Sequence, residues 1–125
     1  MRSVLIVEKD ADTRTTLEET LATEGYTPVA VPASDQAIDY LSTHEPPCLV
    51  LLDLDHPEAT ATLLSWLREQ QSLHGLPVVV LSGWRPADRG LAAFREYVRR
   101  VIQKPFPLEE VLKTIEEHCG PAARD

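Results

Sequence analysis

The chain has 125 residues, 43% of them hydrophobic and 26% charged, which suffices to bury one core and leaves no length for a second domain. Twelve basic residues stand against 20 acidic ones, a net charge of −8. Such a surface gains nothing from the counterion release that drives nucleic-acid binding, and anionic membrane repels it. Neither the opening apolar run nor any later one has the length of a signal core or a membrane span, so a cytoplasmic location is expected. Cys48 and Cys119 show no metal-ligand spacing and no disulfide framework, and are expected to be small hydrophobes in a reducing compartment.

Val4 to Val7 is a short β-branched and leucine run, the pattern of a strand buried on both faces. Glu8-Lys9-Asp10 ends it with charge, and Asp10 or Asp12 can cap the helix that follows. Leu17 and Leu21 mark that helix, and Gly25 suits its end. Tyr26 to Val31 reads as a strand, but Pro28 cannot donate to a sheet ladder and so predicts an edge. Ser34 opens a helix with Ala37, Ile38 and Leu41 on one face.

Pro46-Pro47 then breaks the chain before Leu49 to Leu52, an apolar strand that stops at Asp53. Leu63, Leu64 and Leu67 mark a third helix, closed near His74-Gly75. Val78 to Leu81 is another apolar strand, ending at Ser82-Gly83. Leu91, Phe94 and Val98 predict a fourth helix. Val101-Ile102 begins a last strand running to Lys104-Pro105-Phe106, and Leu108, Val111, Leu112 and Ile115 predict a fifth helix stopped by Gly120-Pro121. Five strands alternating with five helices predict a parallel sheet covered on both faces. Residues 1–120 form the domain and 121–125 a short tail.

In such sheets, functional groups collect at the carboxyl edge. Glu8, Asp53, Ser82 and Lys104 all follow apolar strands, so two carboxylates, a hydroxyl and an ammonium can share one pocket. That inventory suits phosphoryl transfer to a carboxylate, with cations and hydroxyls on the equatorial oxygens.

The order of these residues resembles the receiver domain of two-component response regulators, over roughly residues 3 to 118. The segments carrying the likeness are Leu51-Leu52-Asp53-Leu54-Asp55-His56-Pro57, Leu76-Pro77-Val78-Val79-Val80-Leu81-Ser82 and Gln103-Lys104-Pro105-Phe106. The resemblance implies a flavodoxin-like, doubly wound sheet of order 2-1-3-4-5. It implies that Asp53 accepts a phosphoryl group from a sensor histidine kinase, a phosphotransfer protein or a small donor. Ser82 would bond the phosphoryl oxygen, and Lys104, before a proline that can be cis, would pair with its charge. Glu8, Asp53 and the backbone carbonyl of Asp55 would hold Mg²⁺. The chain would be a switch and not a turnover enzyme, limited to self-phosphorylation from small donors and autodephosphorylation. It would signal by binding another protein and could form a homodimer through its last helices.

Two positions depart from the family. Lys9 stands where a second acidic residue is expected. A lysine cannot ligate Mg²⁺ and repels it, so the metal should bind weakly or become dispensable. Lys9 either stands in for the metal beside Asp53 or points to solvent. Val101 occupies the place of a switching aromatic, and Phe94, Tyr97 and Trp84 offer only core packing or, for Trp84, a gate at the pocket. These departures leave a second reading open, a pseudo-receiver that binds partners without phosphorylation. A flavodoxin-like cofactor enzyme is disfavoured, because Glu8-Lys9-Asp10-Ala11-Asp12 is acidic and lacks the glycines of a phosphate-cradling loop. His44, His56, His74 and His118 are given no catalytic or metal role, and Arg99-Arg100 reads as solvated surface on a face the family uses for docking.

Overall fold

The computed structural model describes residues 2–53, 57–82 and 98–121, with backbone alone at 57–59. The strands are β1 (Ser3–Val7), β2 (Thr27–Val31), β3 (Leu49–Asp53), β4 (Val78–Ser82) and β5 (Val98–Gln103). The helices are α1 (Ala11–Thr23), α2 (Ser34–Thr43), α3 (Pro57–Glu69) and α4 (Leu108–Cys119), with a single 3-10 turn at Gln71–Leu73. All strands pair in parallel in the order β2-β1-β3-β4-β5. This is the expected doubly wound sheet.

The period of two sorts the sheet's side chains onto two faces. Val4, Ile6, Leu49, Leu51, Val79 and Leu81 pack with Leu17 and Leu21 of α1 and with Val111 and Ile115 of α4. Leu5, Val7, Val50, Leu52, Val78 and Val80 pack with Ala37 and Leu41 of α2 and with Leu63, Leu64 and Leu67 of α3. Every residue of β3 and β4 is buried, because both faces are covered; that is why these strands read as unbroken apolar runs. Asp10 caps α1, its Oδ2 accepting from the Thr13 N–H at 2.8 Å and the Thr13 hydroxyl at 2.7 Å. Gly25, at φ 97°, supplies the left-handed residue just beyond the end of α1.

Pro28 lies on an edge strand, as expected. Thr27 N–H donates to the Arg2 carbonyl and Val31 C=O accepts from the Glu8 N–H, so the odd positions of β2 face β1. Pro28 therefore faces outward, where its missing N–H costs the sheet nothing.

Two expectations need correction. Val98, placed in the fourth helix from sequence, opens β5, which starts three residues before Val101. The strand carries exposed Arg99 and Arg100 among its apolar residues, and its register against β4 slips at Val78/Val79. Half-buried Val98 stands seven residues after Leu91 and four after Phe94, the spacing that predicted a helix. Leu91 and Phe94 fall outside the described residues. The second correction concerns the cysteines. Cys48 and Cys119 form a disulfide with Cα atoms 5.4 Å apart across 71 residues of sequence. The entry to β3 and the end of α4 meet at the amino-terminal pole of the sheet, a proximity that sequence spacing does not reveal.

Candidate functional site

Strand register builds the site at the opposite pole. Val7 of β1 pairs with Leu52 of β3, so the next step of the register sets Glu8 beside Asp53. Asp53 pairs with Leu81 and Leu81 with Ile102, which brings Ser82 one residue past the site and Lys104 two residues past Ile102. Lys104 is held there by its N–H, which donates to the Ser82 carbonyl at 2.7 Å. The Lys104–Pro105 peptide is cis.

The side chains converge as the strands require. Lys104 Nζ donates to Asp53 Oδ1 at 2.9 Å and lies 3.5 Å from Glu8 Oε1. Glu8 is 1% exposed and Ser82 fully buried, so the charges meet where water screens them little. Glu8 Oε2 accepts the Asp10 N–H at 3.0 Å, while Oε1 is buried with no hydrogen-bond partner among the described residues. Burial, and then the facing Asp53 carboxylate, push the Glu8 carboxyl up to about 7, against the opposing pull of the Asp10 N–H and Lys104. When protonated, Glu8 gains a donor directed at Asp53.

Lys9 is exposed and lines a cavity of about 420 Å³ together with Val7, Pro32, Ala33, Ser34, Asp53 and Thr60. Lys9 is thus solvated at the border of the Asp53 pocket. Lys104 is in direct contact with Asp53. Val101 is half-buried and packs on the α2/α3 side of the core. Asp55 and Trp84 lie outside the described residues.

Two residues at the site were not anticipated from sequence. Thr60, 2% exposed on the first turns of α3, directs its hydroxyl to the Asp53 carbonyl at 3.4 Å. Its signal was a small polar residue on the face that carries Leu63, Leu64 and Leu67. Arg14 donates from Nη1 to the carbonyls of Glu8 at 3.0 Å and Lys9 at 3.3 Å, fastening the loop that presents both. No sequence motif marks it.

Residues 4–116 match the family model of the response regulator receiver domain. The chain belongs to that family. Among curated relatives, the receiver is 34% identical over 87 residues to the probable methanogenesis regulatory protein FilR2 of Methanothrix harundinacea, covering 65% of this chain and 56% of that protein. It is 30% identical over 116 residues to the response regulator protein FleR of Pseudomonas aeruginosa, covering 93% of this chain and 24% of FleR. The receiver thus spans about half and about a quarter of those two proteins. A CheY-like response regulator receiver domain protein from Methanospirillum hungatei JF-1 superposes with a TM-score of 0.82 at 25% identity, over 94% of each chain.

Proposed function

We propose that this receiver accepts a phosphoryl group on Asp53 from a histidine kinase or phosphotransfer protein and passes the signal on by binding another protein. The observation that carries this reading is the Asp53 carboxylate, nearly buried at the end of β3, with the Lys104 ammonium 2.9 Å away. Lys104 pairs with Asp53 and holds it in position for in-line attack on phosphorus. Once the acyl phosphate forms, the same ammonium can follow the charge onto the phosphoryl oxygens. Ser82, at the adjacent strand end, supplies a hydroxyl to one of those oxygens. The chain acts as a phosphoacceptor and not as a turnover enzyme, in a cytoplasmic two-component pathway.

A divalent cation fits Glu8 and Asp53 in chemistry, since they offer adjacent carboxylates and one of the Glu8 oxygens is buried without a hydrogen bond among the described residues. Mg²⁺ held there, with the Asp55 carbonyl as a further donor, would neutralise charge on the transferring phosphoryl group. Among the described residues no group of three or more acidic, histidine or cysteine side chains is gathered for a metal. Lys9 stands at the rim, so binding is weak.

The test is incubation with acetyl phosphate, with and without Mg²⁺, followed by intact mass. A phosphoryl adduct on the wild-type chain, absent in Asp53→Asn, supports the reading. If neither acetyl phosphate nor a panel of histidine kinases gives an adduct, the reading fails. The chain would then be a pseudo-receiver binding its partner constitutively, the alternative that Lys9 and the ring-less Val101 favour.

A further inference from the structure

We infer that the Cys48–Cys119 disulfide is a thiol–disulfide exchange site, opened by a small, carboxylate-bearing thiol of the glutathione class that attacks Cys48. Three observations carry this, and none depends on phosphorylation. First, both cysteines are partly exposed. Cys48 borders a groove of about 500 Å³ whose walls include Pro46, Leu76, Arg99 and His118, large enough for a tripeptide thiol. Cys119 does not line it, so a nucleophile held in the groove meets Cys48 before Cys119.

Second, the charges suit an anionic thiol. Arg99 is exposed at the groove, while the acidic residue there, Glu117, has Arg100 Nη1 at 3.8 Å from its carboxylate. Third, the fold already accommodates the reduced state. Cys48 Sγ lies 3.2 Å from the Ser3 carbonyl oxygen, an acceptor ready for the thiol S–H. The Cys119 end of α4 stays tied by Arg2, whose Nε donates to the Cys119 carbonyl at 2.7 Å. The Tyr26 hydroxyl adds a bond to the Gly120 carbonyl at 3.2 Å.

The chemistry balances without any further reagent. A thiolate forms a bond to Cys48 Sγ as the S–S bond breaks, and its electron pair leaves on Cys119, which takes up a proton. A second thiol then attacks the mixed disulfide, releasing Cys48 as a thiol and the small molecule as its own disulfide. Two electrons pass from two small thiols to the protein, and the reverse steps restore the bond.

The probe is glutathione, in its reduced and oxidised forms, with alkylation of protein thiols and intact mass as the readout. Protein prepared without reductant should resist alkylation. Reduced glutathione should open two alkylatable thiols, at a rate first-order in glutathione and unchanged by denaturant well below the unfolding transition. Oxidised glutathione should modify Cys119→Ser, which retains Cys48, about tenfold faster than Cys48→Ser, and Arg99→Glu should slow wild-type opening several-fold. Two alkylatable thiols in untreated protein would overturn the proposal. So would opening that accelerates with denaturant, which marks a bond exposed only on unfolding, or equal modification of the two single-cysteine variants.

Discussion

Lys9 and Glu8 are neighbours in sequence with opposite consequences for the site. Lys9 brings a positive charge to the rim of the pocket that Asp53 lines. Replacing it with aspartate exchanges a repulsive charge for an attractive one, worth at least one to two kcal/mol at contact range in a partly screened site. Lys9→Asp should therefore tighten Mg²⁺ binding about tenfold or more by titration calorimetry, and an unchanged affinity would mean that Lys9 never senses the metal. Glu8 governs a pH effect in metal-free protein. Its carboxyl titrates at an ordinary 4.5 when exposed and near 7 in the fold. Between those values the folded chain holds more proton than the unfolded one, so this contribution to stability is complete below pH 4.5 and is lost as pH rises through 7. The loss is about 3 kcal/mol. Asp10, held below the ordinary carboxylate range by Thr13, titrates beneath that window. Glu8→Gln should flatten the decline in guanidinium unfolding series run in chelator between about pH 5 and pH 8. It should also leave the variant more stable than wild type at the alkaline end.

At the scale of the elements, the helices owe their boundaries to single residues and their stability to the sheet. Removing the cap with Asp10→Ala should cost about 1 kcal/mol, read from thermal or denaturant unfolding. The disulfide works on a longer reach. Closing 71 residues restricts the unfolded chain by about 4 kcal/mol in the chain-entropy picture, so a Cys48→Ser, Cys119→Ser double variant should unfold earlier by up to that amount. The apolar runs of β1, β3 and β4 were legible because strands buried on both faces must be apolar at every position. β5 was less legible. Exposed Arg99 and Arg100 interrupt its apolar pattern, and Val98 stands at helical intervals from Leu91 and Phe94. The cysteine pair was illegible for a different reason: it depends on where two distant ends of the chain arrive, and no local pattern encodes that.

For the whole molecule, topology explains why four site residues could be read from sequence. A parallel sheet aligns the carboxyl ends of its strands, so a polar residue after each apolar run lands in one place. Glu8, Asp53, Ser82 and Lys104 followed from that rule. Thr60 and Arg14 reach the site from helices, through hydrogen bonds to backbone carbonyls, and no alignment of strand ends could have announced them. The same topology sets the two poles far apart: Asp53 lies at one end of β3, and Cys48 sits just before the other. Four buried strand residues, Leu49 to Leu52, join them.

A proline on the outer rim of β2 has a bearing on how copies of this chain meet. Hydrogen-bonded growth of a sheet from one molecule into the next needs a row of outward N–H groups. Positions 28 and 30 face outward on β2, and Pro28 leaves Ala30 as the lone donor within that strand. Fibrillar stacking and strand exchange along this margin are therefore disfavoured by covalent structure alone, whatever the concentration. Pro28→Val should restore the missing donor and raise the light scattering of concentrated, gently warmed samples over that of the wild type. Any reversible pairing of the wild-type protein is then left to its helical flanks or to β5.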